Sequence, residues 1–182
     1  SHAYAELLQQ TTHLSAFAEL RTDPLTGIAN RRAFDESLEK LVSKHHRSET
    51  GPLSIAMLDL DHFKSINDAQ GHLAGDRVLQ ELTQVLKSEA RERDVVARFG
   101  GEEFIVILPD TGAKAAREAA ERIRAAVEAM TVHADSQKLK ITVSIGVTTC
   151  LSTDRTIDDV FRRADQALYQ AKENGRNRIE VG

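Results

Sequence analysis

The chain has 182 residues, 41% of them hydrophobic and 29% charged, with a formal net charge of −4, a balance that suits one globular domain with a sizeable core. An acidic chain is a poor partner for nucleic acid, because any phosphate must be held locally rather than by a global basic field. The longest apolar runs, "IAML" and "FIVIL", fall far short of the roughly 20 residues of a membrane helix, and no basic-then-apolar leader opens the chain, so a cytoplasmic domain without a membrane segment is expected.

In chain order, Tyr4, Leu7, Thr11, Leu14 and Ala18 follow 3–4 spacing. That predicts a linker helix over residues 1–21, either the end of a coiled coil arriving from an upstream domain or a helix packed on its own domain. "TDPLTG" (22–27) breaks it, since Pro24 and Gly27 are turn residues and Asp23 precedes a proline, where the α conformation is disfavoured. Four apolar stripes then predict core-facing helices. They are Phe34, Leu38, Leu41 and Val42; Leu79, Leu82, Val85 and Leu86; Ala116, Ala120, Ile123 and Val127; and Ile157, Val160, Phe161, Ala164 and Leu168. Strands are expected at 53–61, 95–99, 104–108 and 140–149, with a short last one at 177–181. Gly100-Gly101 between the second and third of these reads as a β-hairpin turn. A hairpin inside an alternating helix–strand order implies a mixed α/β (α+β) fold with an antiparallel or mixed sheet covered by helices, not a doubly wound parallel one. The lone cysteine, Cys150, ends a strand-like run and reads as a half-buried inert thiol.

Two places carry unexplained charge. "SIAML" is apolar on both faces, as a central strand is, and runs directly into Asp59, Leu60 and Asp61, so at least one acid emerges at the edge of the core. "RFGGEEF" (98–104) sets Glu102 and Glu103 where its second strand enters an apolar layer. A buried carboxylate is costly unless a cation or hydrogen bonds compensate. One such Asp reads most simply as a cap for the next helix, but two acids at each of two adjacent strand ends point to a hard cation with oxygen ligands. Strand alternation sets Glu102 and Glu103 on opposite faces, so they cannot serve a cation equally; it puts Asp61 on the face of Asp59 only if the strand extends that far. In "HFKSINDAQGHLAGDRVL" (62–79), Lys64 is able to meet a phosphate, Asn67 and Asp76 are polar groups near such a metal, and Gly71 and Gly75 permit close backbone approach.

These segments together resemble the GGDEF domains, the diguanylate cyclases, from "DPLTGIANRRAF" onward. The match includes "DLDHFKSINDAQGHLAGD", the hairpin in its "GGEEF" form, "SIGV" (144–147) and "YQAKENGRNR" (169–178). The resemblance implies a domain over 22–182 with the palm-like fold of nucleotidyl cyclases, a central, mostly antiparallel sheet wrapped by helices. It implies that Asp59, Glu102 and the main-chain carbonyl of Leu60 hold Mg²⁺ (or Mn²⁺), with Glu102 and Glu103 as the catalytic acids; because alternation parts the two, the resemblance makes Glu102 the essential one and Glu103 the less direct. It assigns Asn67 and Asp76 to the guanine of GTP, Lys172 and Arg176 to the triphosphate, backbone near Phe63 and Lys64 to further phosphate contacts, and His72 to the substrate region. An aspartate and an amide suit guanine, whose N1–H and N2–H₂ are donors, and leave adenine poorly matched.

The implied reaction condenses two GTP into cyclic di-GMP with release of two pyrophosphates, one GTP per domain, so a homodimer is required. Arg91 and Asp94 form an R-x-x-D ending five residues before Gly100, which matches the family's product-inhibition site, with Arg122 as a further grip. Without the resemblance that motif reads as a solvated charge run. The alternative function is a non-catalytic module that binds GTP or cyclic di-GMP and signals through protein contacts. A nucleotidyl or adenylyl cyclase of the same palm would need other base-contact residues and would lack the glycine hairpin.

Overall fold

The computed structural model describes residues 2–182, with the side chains of residues 17–19 outside that description. The elements are α1 (His2–Arg21), α2 (Arg31–His46), β1 (Leu53–Leu60), α3 (Phe63–Gln70), α4 (His72–Glu89), β2 (Val95–Gly100), β3 (Glu103–Pro109), α5 (Ala113–Ala129), β4 (Val132–Ala134), β5 (Gln137–Leu139), β6 (Val143–Thr149), α6 (Ile157–Glu173) and β7 (Ile179–Val181). Five strands make one sheet in the order β2-β3-β1-β6-β7. All its pairs are antiparallel except β6 with β7. The expected mixed sheet is therefore present, and β1, buried along its whole length, is its centre.

The sheet carries a core on each face. Leu58, Phe104, Val106 and Ile145 face the apolar stripes of α4 and α5, whereas Ile55, Met57, Ile105 and Ile107 face Phe34 and Leu38 of α2 and Val160, Ala164 and Leu168 of α6. Burying side chains of this size contributes on the order of 1.5–3 kcal/mol each. All four sequence stripes thus point inward. The helix starts have local causes as well. The Asn30 side chain accepts from the Ala33 amide at 3.0 Å, and Thr156 with Asp159 forms a capping box at α6. Gly146 lets α6 lie against β6, because a Cβ there would stand 2.3 Å from the Leu168 amide nitrogen.

Several boundaries differ from the sequence expectation. The strand expected at 140–149 begins at Val143 and the one at 177–181 begins at Ile179. Between the "DLD" and the helix carrying Leu79 lies a separate helix, α3, closed by Gly71 in a left-handed conformation (φ 88°). Asn67 therefore sits inside α3. A small hairpin, β4–β5, was not expected at all. In α1, Tyr4, Leu7 and Leu14 are exposed, and the side chain of Ala18, the last member of that stripe, lies outside the description. Among the described residues no helix is long and apolar enough to cross a membrane.

Candidate active site

The C-terminal end of β1 and the β2–β3 turn build the site. Antiparallel register sets Asp59 directly opposite Glu103, so their side chains share a face of the sheet. Glu102 lies in the turn itself, and its carbonyl accepts from the Leu60 amide at 3.3 Å. The turn is possible because Gly101 holds φ 52° beside a register shift between Arg98 and Gly100.

Asp59 is buried. Its Oδ2 pairs with the Lys172 ammonium on α6, while its Oδ1 is buried with no hydrogen-bond partner. Burial pushes its pKa above the usual carboxylate value; the Lys172 bond and charge oppose this, and the charges of Glu102 and then Glu103 add to it. An orphaned carboxylate oxygen pressed by two further acids is the electrostatic setting a divalent cation relieves. Among the described residues no three His, Cys, Asp or Glu side chains converge on one metal position. A ligand set of two carboxylates and the Leu60 carbonyl does not require three, so the residues fit Mg²⁺.

Asp61 behaves differently from Asp59. The strand ends at Leu60, and the buried Asp61 carboxylate is fully engaged: Oδ1 accepts from Ser144 Oγ at 2.7 Å, and Oδ2 from Thr142 Oγ1 at 2.7 Å and the Asn177 amide at 3.0 Å. Three protein donors hold it, which sets it apart from Asp59 with its unpartnered Oδ1.

The residues expected to meet the nucleotide lie on α3, on α4 and at the end of α6. Phe63 is buried at the start of α3 and Lys64 is exposed beside it. Asn67 Oδ1 is buried and unpartnered, it lies against Gly75 of α4, and half-buried Asp76 is the next residue of that helix. Gly75 makes that approach possible, since a Cβ there would lie 1.9 Å from Asn67 Oδ1. Gly75→Ala should therefore push Asn67 aside and weaken GTP more than ATP, by about 1–3 kcal/mol for guanine donors left unpaired; equal losses in a competition titration of the two nucleotides would show that Asn67 does not read the base. His72 is exposed at the first position of α4. Arg176 is exposed, with φ 63°, in the turn after α6.

The structure also reveals a pair that sequence reasoning left without a role. Arg98, just before the glycines, donates to the Gly101 carbonyl at 2.8 Å and reaches Asp23 Oδ1 at 3.2 Å. Against the upward push of burial, the Thr26 hydroxyl and amide and the Arg98 charge hold Asp23 below the usual carboxylate value. This pair ties the break after α1 to the signature turn. The position of Arg98 beside Gly100-Gly101 was the available signal. Cys150 is buried, more deeply than the half-buried thiol expected, and burial, with Asp154 nearby, pushes its thiol up to about 12, which disfavours a thiolate.

Away from the acids, a cavity of about 230 Å³ between α4, β3 and α5 is lined by Arg91, Asp94 and Arg122 together with Glu89 and Glu118. Asp94 has a buried side chain whose Oδ2 accepts from the Arg91 amide at 2.8 Å, while Oδ1 has no hydrogen-bond partner. The Arg91 guanidinium donates to the Thr111 hydroxyl and to the Pro109 carbonyl at 3.3 Å. The three residues expected to form a second site thus share one hollow.

These features define a class: a palm-like, mostly antiparallel α/β domain with paired acids beside a glycine turn. The family model for the diguanylate cyclase GGDEF domain matches residues 20–178, and the chain belongs to that family. It is 51% identical over 160 residues, 88% of its length, to diguanylate cyclase DgcP of Pseudomonas aeruginosa. It is 42% identical over 181 residues to diguanylate cyclase A of Treponema denticola, with 97% of this chain aligned. It spans 24% and 46% of those two proteins. The coiled coil and GGDEF domain of DgcB from Caulobacter crescentus, solved in complex with c-di-GMP, superposes with a TM-score of 0.92 at 34% identity, covering 100% of this chain and 96% of that one.

Proposed function

We propose that this domain is a diguanylate cyclase that condenses two GTP into cyclic di-GMP as a homodimer, with Mg²⁺ (or Mn²⁺) held by Asp59, Glu102 and the Leu60 carbonyl. The carrying observation is the buried, unpartnered Asp59 Oδ1 beside Glu102 and Glu103, in a chain so similar to proteins named diguanylate cyclases. The bound ion would neutralise triphosphate charge and lower the pKa of the attacking hydroxyl. Asn67 and Asp76 orient guanine, and Lys172 and Arg176 hold the phosphates, with the backbone near Phe63 and Lys64 adding contacts. Each 3′-hydroxyl attacks the α-phosphorus of the GTP on the facing domain. A phosphodiester forms, the α–β anhydride breaks, pyrophosphate leaves, and the hydroxyl proton passes to an acid, Glu102 or its neighbour Glu103.

Because each domain presents one GTP, the two must meet face to face. The exposed Tyr4, Leu7 and Leu14 on α1 suit a coiled coil that controls the encounter, and the matched DgcB structure is one of a coiled coil with its GGDEF domain. Incubation with GTP and Mg²⁺ is expected to yield cyclic di-GMP and two pyrophosphates, with specific activity rising with protein concentration. GTP that is bound yet unchanged at concentrations where sedimentation detects dimers would favour the binding-module reading.

A further inference from the structure

The D-x-D at the end of β1 contains two buried acids, and only one of them has a part in the chemistry above. Asp61 instead gathers three segments far apart in the chain: Thr142 before β6, Ser144 in β6, and the amide of Asn177 after α6. Asn177 lies in an unusual turn, with both it and Arg176 in left-handed conformations (φ 46° and 63°), which for residues other than glycine persist only when the surroundings enforce them. Those surroundings are identifiable. The Asn177 amide is held by Asp61; its side-chain carbonyl accepts from Arg124 at 2.9 Å, and its side-chain amide donates to Glu128 at 2.5 Å. On either side, the Arg176 amide donates to Ala171 O at 2.9 Å and Ile145 N to Arg178 O at 2.9 Å.

We infer that Asp61 is a positioning residue that anchors the turn at 174–178 and so fixes Arg176, and Lys172 on the preceding turn of α6, relative to Asp59. The two acids divide the labour: Asp59 faces the metal position, and Asp61, two residues on, faces the segment that meets the phosphates. One strand end thereby sets the spacing between the metal and triphosphate contacts. All three of its bonds come from neutral donors, which an uncharged acceptor of the same shape is also able to accept. This inference rests on the reading of Asp59 as a metal acid and of Arg176 and Lys172 as phosphate contacts.

The test uses the whole chain, with amide hydrogen exchange of the nucleotide-free protein as one readout and titration with Mg²⁺·GTP as the other. Asp61→Ala is expected to speed exchange at Asn177 and across 174–178 and to weaken Mg²⁺·GTP by about tenfold. Amides of β3 and α4 should keep their protection. Asp61→Asn is expected to restore both readouts, since its carbonyl can keep the Thr142 and Asn177 bonds while the Ser144 hydroxyl turns to accept from its NH₂. Should Asp61→Ala fail to fold, Asp61→Asn still decides, by Mn²⁺ binding in the presence of GTP compared with Asp59→Asn. Loss of Mn²⁺ in Asp61→Asn as complete as in Asp59→Asn would make Asp61 a metal ligand and overturn the inference. So would exchange at 174–178 that Asp61→Ala leaves unchanged. A wild type that binds no GTP but shows the expected exchange changes would count against the cyclase reading and leave the anchor standing.

Discussion

Asp59→Asn and Glu102→Gln are each expected to lower cyclic di-GMP formation by on the order of 10³-fold or more, because an amide removes the charge that holds the cation and several kcal/mol of phosphate neutralisation go with it. Asp59→Asn should at the same time make the nucleotide-free domain more stable. Burial outweighs the help from Lys172 and raises the Asp59 pKa in the folded state, so the folded chain binds this proton more tightly than the unfolded one. For an acid shifted upward, stability is fully present below the unfolded value and is lost as pH rises through the folded value. The stability difference between Asp59→Asn and wild type should therefore be small at and below the ordinary carboxylate pKa, grow as pH rises through the raised pKa, and level off above it. Lys172, part-exposed, can turn to solvent in the mutant and so costs little. Thermal melts of both proteins across that pH range check this. A mutant that is less stable than wild type at neutral pH would mean that the Lys172–Asp59 pair holds the domain together instead of marking a site at some cost in stability. Full turnover in either mutant would remove these residues from the metal set.

How much of this was legible in the sequence follows from how local each signal is. β1 could be read because "LSIAML" is apolar on both faces, and the four helices because their stripes recur at helical spacing; burial of those residues is set by periodicity alone. The site acids were legible because both clusters sit at strand ends, where a charge has no place in a purely structural strand. The β4–β5 hairpin was not: Gln137 and Lys138 are exposed and only Val132 is buried, so tertiary position and not propensity holds it. The α3–α4 division depends on one glycine at positive φ, which the sequence marks only as a turn. Asp61 was the hardest case. Alternation could place it, but its partners lie 81, 83 and 116 residues away, and no local pattern reports a hydrogen bond over that separation. The same holds for Lys172, which meets Asp59 from 113 residues away and was reachable only through the family resemblance.

Arg91→Ala is expected to leave initial turnover near wild type while raising the concentration of cyclic di-GMP needed for inhibition by about 10- to 100-fold, the range for losing one or two charge-assisted hydrogen bonds. The cavity of about 230 Å³ explains the expectation. Arg91 and Arg122 bring two planar donor forks to this hollow, and Asp94 brings a carboxylate whose Oδ1 has no hydrogen-bond partner and stands 3.7 Å from the Arg91 guanidinium. A guanine offers both complements, an O6/N7 edge for an arginine and an N1–H/N2–H₂ edge for the carboxylate, and a phosphate takes the second arginine. Since α4, β3 and α5 line this hollow and the acids lie at the far end of β1, the ligand would act without touching the reacting groups. Two such domains tied by one product would be drawn from the face-to-face arrangement proposed for catalysis, a shift of population rather than a blockade of the site. Arg93→Ala is the control. Arg93 is equally basic and adjacent, but it pairs with Asp110 at 2.6 Å and does not line the cavity, so its loss should leave inhibition unchanged. The measurement is initial rate against added cyclic di-GMP for wild type and both variants. If Arg91→Ala and wild type are inhibited at the same concentrations, the arginine is surface charge and the product inhibits at the active site itself.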